Sequence, residues 1–499
     1  MNPSGYASLP ERFFARVQPT HVAAPQLIKW NQALASDLGL DLSGLDAPAL
    51  AILFSGNVLP RGAVPIAMAY AGHQFGHFVA QLGDGRAILI GEMRDRAGVL
   101  RDIQLKGCGR TPYSRSGDGR AALGPVLREY LVSEAMHALG IPTTRSLAAV
   151  STGESVQRET MLPGAIVTRV AASHVRVGTF EYFAARGDVA GTKILADYVI
   201  DRHYPLCGHD KSPYLALLRE VVSRQAALIA GWMNVGFIHG VMNTDNMAVS
   251  GETIDFGPCA FMDMFDPATV FSSIDERGRY AYANQPNAAL WNLARFGDAL
   301  LPLMDADPQR AIGAATETIT TFETLFKDHW LDGMRRKLGL STAEPGDRQL
   351  AEDLLKAMQR RQADFTLSFR ALCEAANEPR GDRALGDGAL GDGALGDGAL
   401  GDAAVGDEAW MRRWRARVGR EPTDPKLRTE SMQQANPAYI PRNHRVERVI
   451  VAAVERGDLA PFEELSKVLA APHVARPAFA AYANPPEPEE RVLQTFCGT

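Results

Sequence analysis

With 499 residues, 46% of them hydrophobic and 22% charged, the chain has the composition of a globular protein large enough for more than one core. A formal net charge of −6 speaks against a general nucleic-acid binder, which carries a basic stripe. Five scattered cysteines (Cys108, Cys207, Cys259, Cys373, Cys497) suit a reducing cytoplasm better than a disulfide framework. No apolar run approaches the ~18 residues of a membrane-spanning helix. Met1–Arg12 lacks a basic region followed by an apolar run, so no secretory leader and no membrane partner are expected.

Residues 1–60 read as an N-terminal extension of short helical patterns and Pro-punctuated loops. Residues 61–172 read as a small α+β unit. Arg86–Glu92 and Val99–Lys106 flank a polar, Gly-containing turn and predict a β-hairpin. A loop rich in Gly, Arg and Ser follows, then a helix over Arg120–Leu139 with Leu123, Leu127, Leu131 and Met136 on its apolar positions. Strand-like runs lie around Ser146–Val150 and Ile166–Val170.

Residues 173–380 are mainly helical in pattern, with a buried helix over Tyr214–Phe237. Met247–Val249 and Thr253–Ile254 predict a tight hairpin around Ser250–Gly251, and Pro258–Pro286 is irregular. Helices are expected near Ala288–Leu303, Pro308–Leu338 and Arg348–Glu378. Residues 381–407 carry a recurring Gly-Asp-Gly-Ala-Leu unit, read as a flexible surface insert because small residues bury no core. Its five-residue period differs from the calcium-binding nonapeptide. Residues 408–499 read as a helical extension with a loose tail.

The most informative stretch is His239-Gly-Val-Met-Asn-Thr-Asp-Asn246, followed nine residues later by Asp255-Phe-Gly257. An Asn amide oxygen and an Asp carboxylate brought together are hard ligands of the kind Mg²⁺ takes. Their spacing resembles the catalytic and metal loops of a protein kinase. The strand–strand–helix–strand order before it fits as well. The fold expected is therefore α+β, bilobal and protein-kinase-like, with a small mixed α/β N-lobe, a mainly helical C-lobe and a helical C-terminal extension. One position departs from that pattern. The kinase base would fall at Val241, which cannot take a proton, and the only acid in the loop is Asp245. Either Asp245 is the base or the chain is catalytically dead.

Lys106 ends the second strand of the hairpin, where a kinase places its phosphate-pairing lysine. Glu129 is its first candidate partner and Glu134 the fallback, ~140° further round the helix. Gly83-Asp84-Gly85-Arg86 and Gly117-Asp118-Gly119-Arg120 can turn backbone N–H groups toward an anion. Arg169 and Arg176 are of the type that grips phosphate. His73 with His77, and His203 with Cys207 and His209, suggest zinc only if further ligands exist. Packed or hydrogen-bonded side chains are the plainer reading.

Tyr70–His77, Gln81–Arg86, Gln104–Arg115, Ser116–Leu123, His174–Phe183, His239–Met247 and Thr253–Pro258 together resemble the selenoprotein O (SelO, YdiU) family of protein adenylyltransferases. The resemblance implies a kinase-like fold that binds ATP in a flipped orientation. AMP would move to Ser, Thr or Tyr hydroxyls of partner proteins, with UMP from UTP a further ascribed transfer. It makes Asp245 the proton acceptor, and Asn246 and Asp255 the ligands of Mg²⁺ or Mn²⁺. Gly83, Gly85, Arg86, Lys106, Asp118, Gly119, Arg169 and Arg176 become nucleotide contacts. It also implies a redox link through Cys497, and apart from the resemblance a regulatory disulfide from Cys497 to Cys259 is a separate reading that requires the tail to fold back. Two other readings stand beside it: a γ-phosphoryl kinase, opposed by Val241, and a non-catalytic nucleotide-binding scaffold. Protein targets and oligomeric state are not legible in the sequence.

Overall fold

Ala87–Arg94 (β6) is buried through its first six residues, and a run of apolar and β-branched side chains buried on both faces belongs in the middle of a sheet. The computed structural model, which describes residues 1–376 and 407–496, places it there. The eight-stranded sheet also contains β1 (Phe14–Arg16), β2 (Gln26–Trp30), β3 (Ile66–Met68), β7 (Leu100–Lys106), β8 (Ala121–Ala122), β9 (Arg145–Gln157) and β10 (Met161–Ala171). Its order is β1-β3-β6-β7-β10-β9-β2, with β8 paired to β10. A separate hairpin, β4 (Gly72–Gln74) with β5 (His77–Val79), stands outside the sheet. The hairpin expected over 86–106 is present as β6 and β7, and β9 and β10 run longer than their sequence cores suggest.

Helix α3 (Leu123–Ala138) packs on β9 and β10. Short helices α1 (Gln32–Asp37) and α2 (Ala47–Phe54) cover the opposite face, where Leu34 and Phe54 meet Ile88, Leu105 and Ile166. The following part of the chain is helical: α4 (Val177–Ala184), α5 (Val189–His203), α6 (Pro213–Val235), α7 (Gln285–Met304), α8 (Pro308–Leu338), α9 (Asp347–Arg361) and α10 (Phe365–Ala375). The protein is thus mixed α/β, with its sheet in the N-terminal part and helices in the C-terminal part.

Three sequence expectations need correction. The helix expected over 348–378 is two helices, because Gln362 adopts a left-handed φ of 52° and Asp364 caps a new start by accepting from Leu367 N at 2.8 Å. The hairpin expected at 247–254 does not pair with itself. Ala248 bridges Arg176 and Thr253 bridges Thr143, so each arm finds its backbone partner elsewhere. The irregular stretch after Pro258 contains Ala260–Phe261 (β12), which pairs with Phe237–Ile238 (β11).

The C-terminal region divides between two surfaces. Glu408–Val418 (α11) and Pro425–Ala435 (α12) pack on α8 to α10. Asn443–Arg456 (α13) and Ala460–Leu469 (α14) turn back onto α3, where Phe462 meets Tyr130 at 5.6 Å and Arg128 pairs with Glu447. No helix among the described residues is long and apolar enough to cross a membrane. The repeat-bearing insert expected at 381–407 falls almost wholly outside the described residues.

Candidate active site

Strand alternation builds the first half of the site. Gln104 and Lys106 lie two apart on β7, opposite Arg169 and Val167 of β10, so the two cations share one sheet face. Helix α3 crosses that face and presents Glu129. Lys106 Nζ donates to Glu129 Oε2 at 2.7 Å and also reaches Asp255 Oδ1. Arg169 donates to Glu129 through Nε at 2.8 Å and reaches Asp255 at 3.3 Å. Glu134, the fallback partner, accepts instead from Arg145 at 2.7 Å and Ser146 N at 2.9 Å.

Burial, the largest influence, would raise both acids of this cluster. Arg169 and Lys106 nevertheless hold Glu129 below its usual range, and Lys106, Arg169 and Arg176 hold Asp255 well below its own. Asp255 therefore stays ionised. Its φ of 71° is costly for a residue with a side chain and marks a backbone fixed by its surroundings. Those surroundings include Thr253, whose N–H donates to Pro142 O at 2.9 Å, and His239, whose Nε2 meets Ile254 O at 2.9 Å.

The loop from His239 supplies the second half. His239 is buried and stacks on Trp232, so its task is structural. Asn246 donates its amide to Val241 O at 3.0 Å, which leaves its Oδ1 as an acceptor. Asp245 is only 8% exposed; Oδ2 accepts from Gln74 Nε2 at 3.3 Å, and Oδ1 is buried without a hydrogen-bond partner among the described residues. Burial pushes its carboxyl up to about 6, against the pull of Arg176.

Beside Asp245 opens a cleft of ≈ 670 Å³ bordered by Gly83, Gly85, Arg86, Asp118, Gly119 and Asp245, with Tyr70, Gln74 and Tyr113 among its walls and none of the Lys106–Glu129–Arg169–Asp255 cluster. Gly83 has φ +105°, and a Cβ there would sit 2.5 Å from the Tyr113 ring, so only glycine fits. Thr111 Oγ1 donates to Asp84 O at 2.7 Å and Ser114 Oγ to Gly85 O, lacing the two Gly-rich loops together. Asp118 is held by Arg158 at 2.8 Å.

Arg176, at the start of α4, is 3% exposed and lies over the Tyr70 ring at 4.5 Å. Its Nε has no hydrogen-bond partner among the described residues, and Asp84 Oδ1 stands 3.9 Å from its guanidinium. A buried guanidinium so sparsely engaged calls for an anion.

The residues singled out from the sequence thus fall into three sets. Lys106, Arg169 and Asp255 join Glu129 in one ion cluster. Gly83, Gly85, Arg86, Asp118, Gly119 and Asp245 border the open cleft, which Asn246 does not. Arg176 serves both electrostatically, since Asp84, Asp255 and Asp245 all act on it. Sequence reasoning missed Asp84, which accepts from Met68 N at 3.1 Å and Gln104 Nε2 at 3.2 Å and so fixes the first Gly-Asp-Gly turn. It also missed Gln74, which lies inside a segment marked only by family resemblance.

The histidine pairs have other partners. His73 Nδ1 meets Glu181 Oε1 at 2.5 Å, and His203 Nε2 meets Ser173 Oγ at 2.7 Å. His73 and His77 sit on the two strands of a hairpin, not on a helix. Cys259 is buried, and Cys497 lies outside the described residues, so the expected link between them does too.

Comparison with known proteins gives the class of the molecule. Relatives named protein nucleotidyltransferase YdiU match along almost their whole length: 59% identity over 99% of each chain in Rhizobium meliloti (strain 1021), and 60% over 99% of this chain and 97% of the relative in Rhizobium etli (strain CIAT 652). The relative from Rhodopseudomonas palustris (strain BisB18) is 60% identical over 99% of this chain and 98% of its own. This is a nucleotidyltransferase. The family model described as protein adenylyltransferase SelO matches residues 3–470, and the chain belongs to the SelO family.

Proposed function

We propose that this enzyme transfers AMP from ATP, and alternatively UMP from UTP, to Ser, Thr or Tyr hydroxyls of partner proteins in the cytoplasm, releasing pyrophosphate. Residues 61–172 and 173–380 serve as the two lobes of a kinase-like fold, with 1–60 and 408–499 as extensions. One observation carries the reading: Asp245, with a carboxylate oxygen unpartnered among the described residues, borders the cleft, and the buried, sparsely engaged Arg176 lies over the cleft-wall ring of Tyr70 and feels the Asp245 charge. The first suits a hydroxyl that must lose a proton, the second a phosphate chain.

In this mechanism the acceptor oxygen forms a bond to the α-phosphorus while the α–β bridging P–O bond breaks. Asp245 Oδ1 takes the hydroxyl proton, and the electron pair of the broken bond leaves with pyrophosphate. Lys106, Arg169 and Arg176 offset charge on the phosphate oxygens, as a flipped nucleotide with its phosphates turned inward requires. Gly83, Gly85, Arg86, Asp118 and Gly119 then border the nucleoside end.

Asn246 Oδ1 and the Asp255 carboxylate are hard-oxygen donors fitted to hold Mg²⁺ or Mn²⁺. Two protein ligands suffice where substrate phosphates complete the shell. Such an ion supplies neutralisation of charge on the phosphate oxygens.

The test is incubation with Mg²⁺ or Mn²⁺ and ATP labelled at either the α- or the γ-phosphate, with whole-lysate protein as acceptor. Label entering protein from the α-position, and lost in Asp255→Ala, is the expected result. Label only from the γ-position would make the enzyme a kinase and overturn the reading.

A further inference from the structure

The β4–β5 hairpin is fastened to the catalytic loop residue by residue. His73 N donates to Thr244 Oγ1 at 2.7 Å, Gln74 Nε2 to Asp245 Oδ2 at 3.3 Å, and Phe75 N to Asn243 Oδ1 at 3.0 Å. Three consecutive residues thus grip three consecutive residues across 168 to 171 positions of sequence. Phe75 adopts a left-handed φ of 51° at the hairpin tip, a conformation that holds only where packing fixes it.

The two faces of β4 divide the work. Gly72 and Gln74, two apart, share the face toward Asp245. A Cβ on Gly72 would stand 2.7 Å from Asp245 Oδ1, so glycine leaves that oxygen clear, while the Gln74 amide occupies Oδ2. His73 lies on the other face, where its Nδ1 meets Glu181 Oε1 at 2.5 Å and Thr244 donates to Glu181 Oε2. Glu181, buried on α4, clamps hairpin and loop to one helix. The carboxylate therefore has one oxygen held by a neutral donor and the other buried beside Gly72 without a hydrogen-bond partner among the described residues.

We propose that Gln74 is a positioning residue for Asp245: its side-chain amide fixes Oδ2 and so selects Oδ1 as the atom that receives the acceptor's proton. The inference rests on the assignment of Asp245 as base made above. A neutral amide orients the carboxylate without cancelling its charge, as a lysine or arginine at this place would.

The test is Gln74→Met, similar in length and without a donor, in the full-length protein. Initial rates would be measured with α-labelled ATP and a fixed amount of lysate protein, alongside a crystal structure and a thermal melt. The rate at saturating ATP is expected to fall about 10- to 100-fold, the cost of misplacing a reacting group. The KM for ATP should stay within about twofold and the melting temperature should hold, which a merely structural role would not give. In the crystal the Asp245 carboxylate should have rotated. An unchanged rate, or a carboxylate in its original orientation, overturns the inference. If the unaltered enzyme transfers no α-label, the nucleotidyl reading fails, and the orientation of Asp245 in Gln74→Met alone decides the role of Gln74.

Discussion

Two buried ion networks in this protein are built from the same residue types and differ in one respect. Around Arg417 of α11, every carboxylate oxygen is occupied. Asp347 accepts from Arg417 Nε at 2.8 Å, Arg335 Nε at 2.9 Å and Glu344 N at 2.8 Å. Glu421 accepts from Arg417, from Thr342 Oγ1 at 2.7 Å and from Ser341 N at 2.8 Å. Burial opposes its charge, yet the Ser341 and Thr342 contacts and Arg417 hold its carboxyl down to about 2. Around the cleft, by contrast, Asp245 Oδ1 and Arg176 Nε have no hydrogen-bond partner among the described residues. A network that satisfies itself joins elements of a fold. One that leaves polar atoms over is prepared for something else.

That contrast can be broken by substitution. Asp255→Ala should cost about 1000-fold in nucleotidyl transfer, because it removes a proposed metal ligand and leaves Lys106 and Arg169 to share Glu129 alone. Rates with α-labelled ATP would measure this, and a near-normal rate would remove Asp255 from the chemistry. Arg417→Met should instead lower stability by about 3 kcal/mol, since it leaves Glu421 buried without its cation and Asp347 with Arg335 alone. Denaturant titration would show that loss, while the rate per folded molecule stays unchanged. A rate loss without a stability loss would reverse the roles given to the two networks.

Asp245→Asn should keep the fold and lower transfer about 100-fold, the usual worth of a positioned base. A variant as fast as the parent would leave the reaction without its proton acceptor. The smallest effect concerns Lys337 of α8, a cation that belongs to neither network. It is 3% exposed, with Nζ 3.9 Å from the Phe369 ring centre, and burial lowers its ammonium to about 7. The unfolded chain keeps this proton up to about pH 10.4, so unfolding takes up a proton between the two values and stability rises with pH there. The slope is at most about 1.4 kcal/mol per pH unit and vanishes below the folded value. Lys337→Met should lose this dependence between about pH 7.5 and about pH 9. Urea midpoints of the two proteins at those pH values would decide it, and parallel pH dependences would refute it.

Much of the site could be read from local spacing. Lys106 at the end of a strand, and the spacing of Asp245, Asn246 and Asp255, could be read from residues close in sequence, whereas the path between them is held by Arg176, Thr143 and Pro142. The sequence ranked Glu129 ahead of Glu134 as the partner of Lys106, and the structure bears that order out. Both lie on α3, and the approach of Arg169 on one side and Arg145 on the other separates them. The expected helix over 348–378 failed because its apolar pattern continues past Gln362, an exposed residue whose left-handed backbone closes α9 as its N–H donates to Gln359 O at 3.2 Å.

The sequence alone therefore determined the hairpin that carries Lys106, the Asp245-Asn246 pair and the family, all properties of short contiguous segments. Tertiary structure decided which oxygen of Asp245 is held and which left over, and where α13 and α14 dock. It also brought Gln74, Asp84 and Glu181 beside the candidate site residues. Those contacts join residues up to 434 positions apart, as between Lys29 of β2 and Glu463 of α14. No local propensity encodes such distances, because they are fixed only when the sheet, the hairpin and the helices bury their apolar faces together.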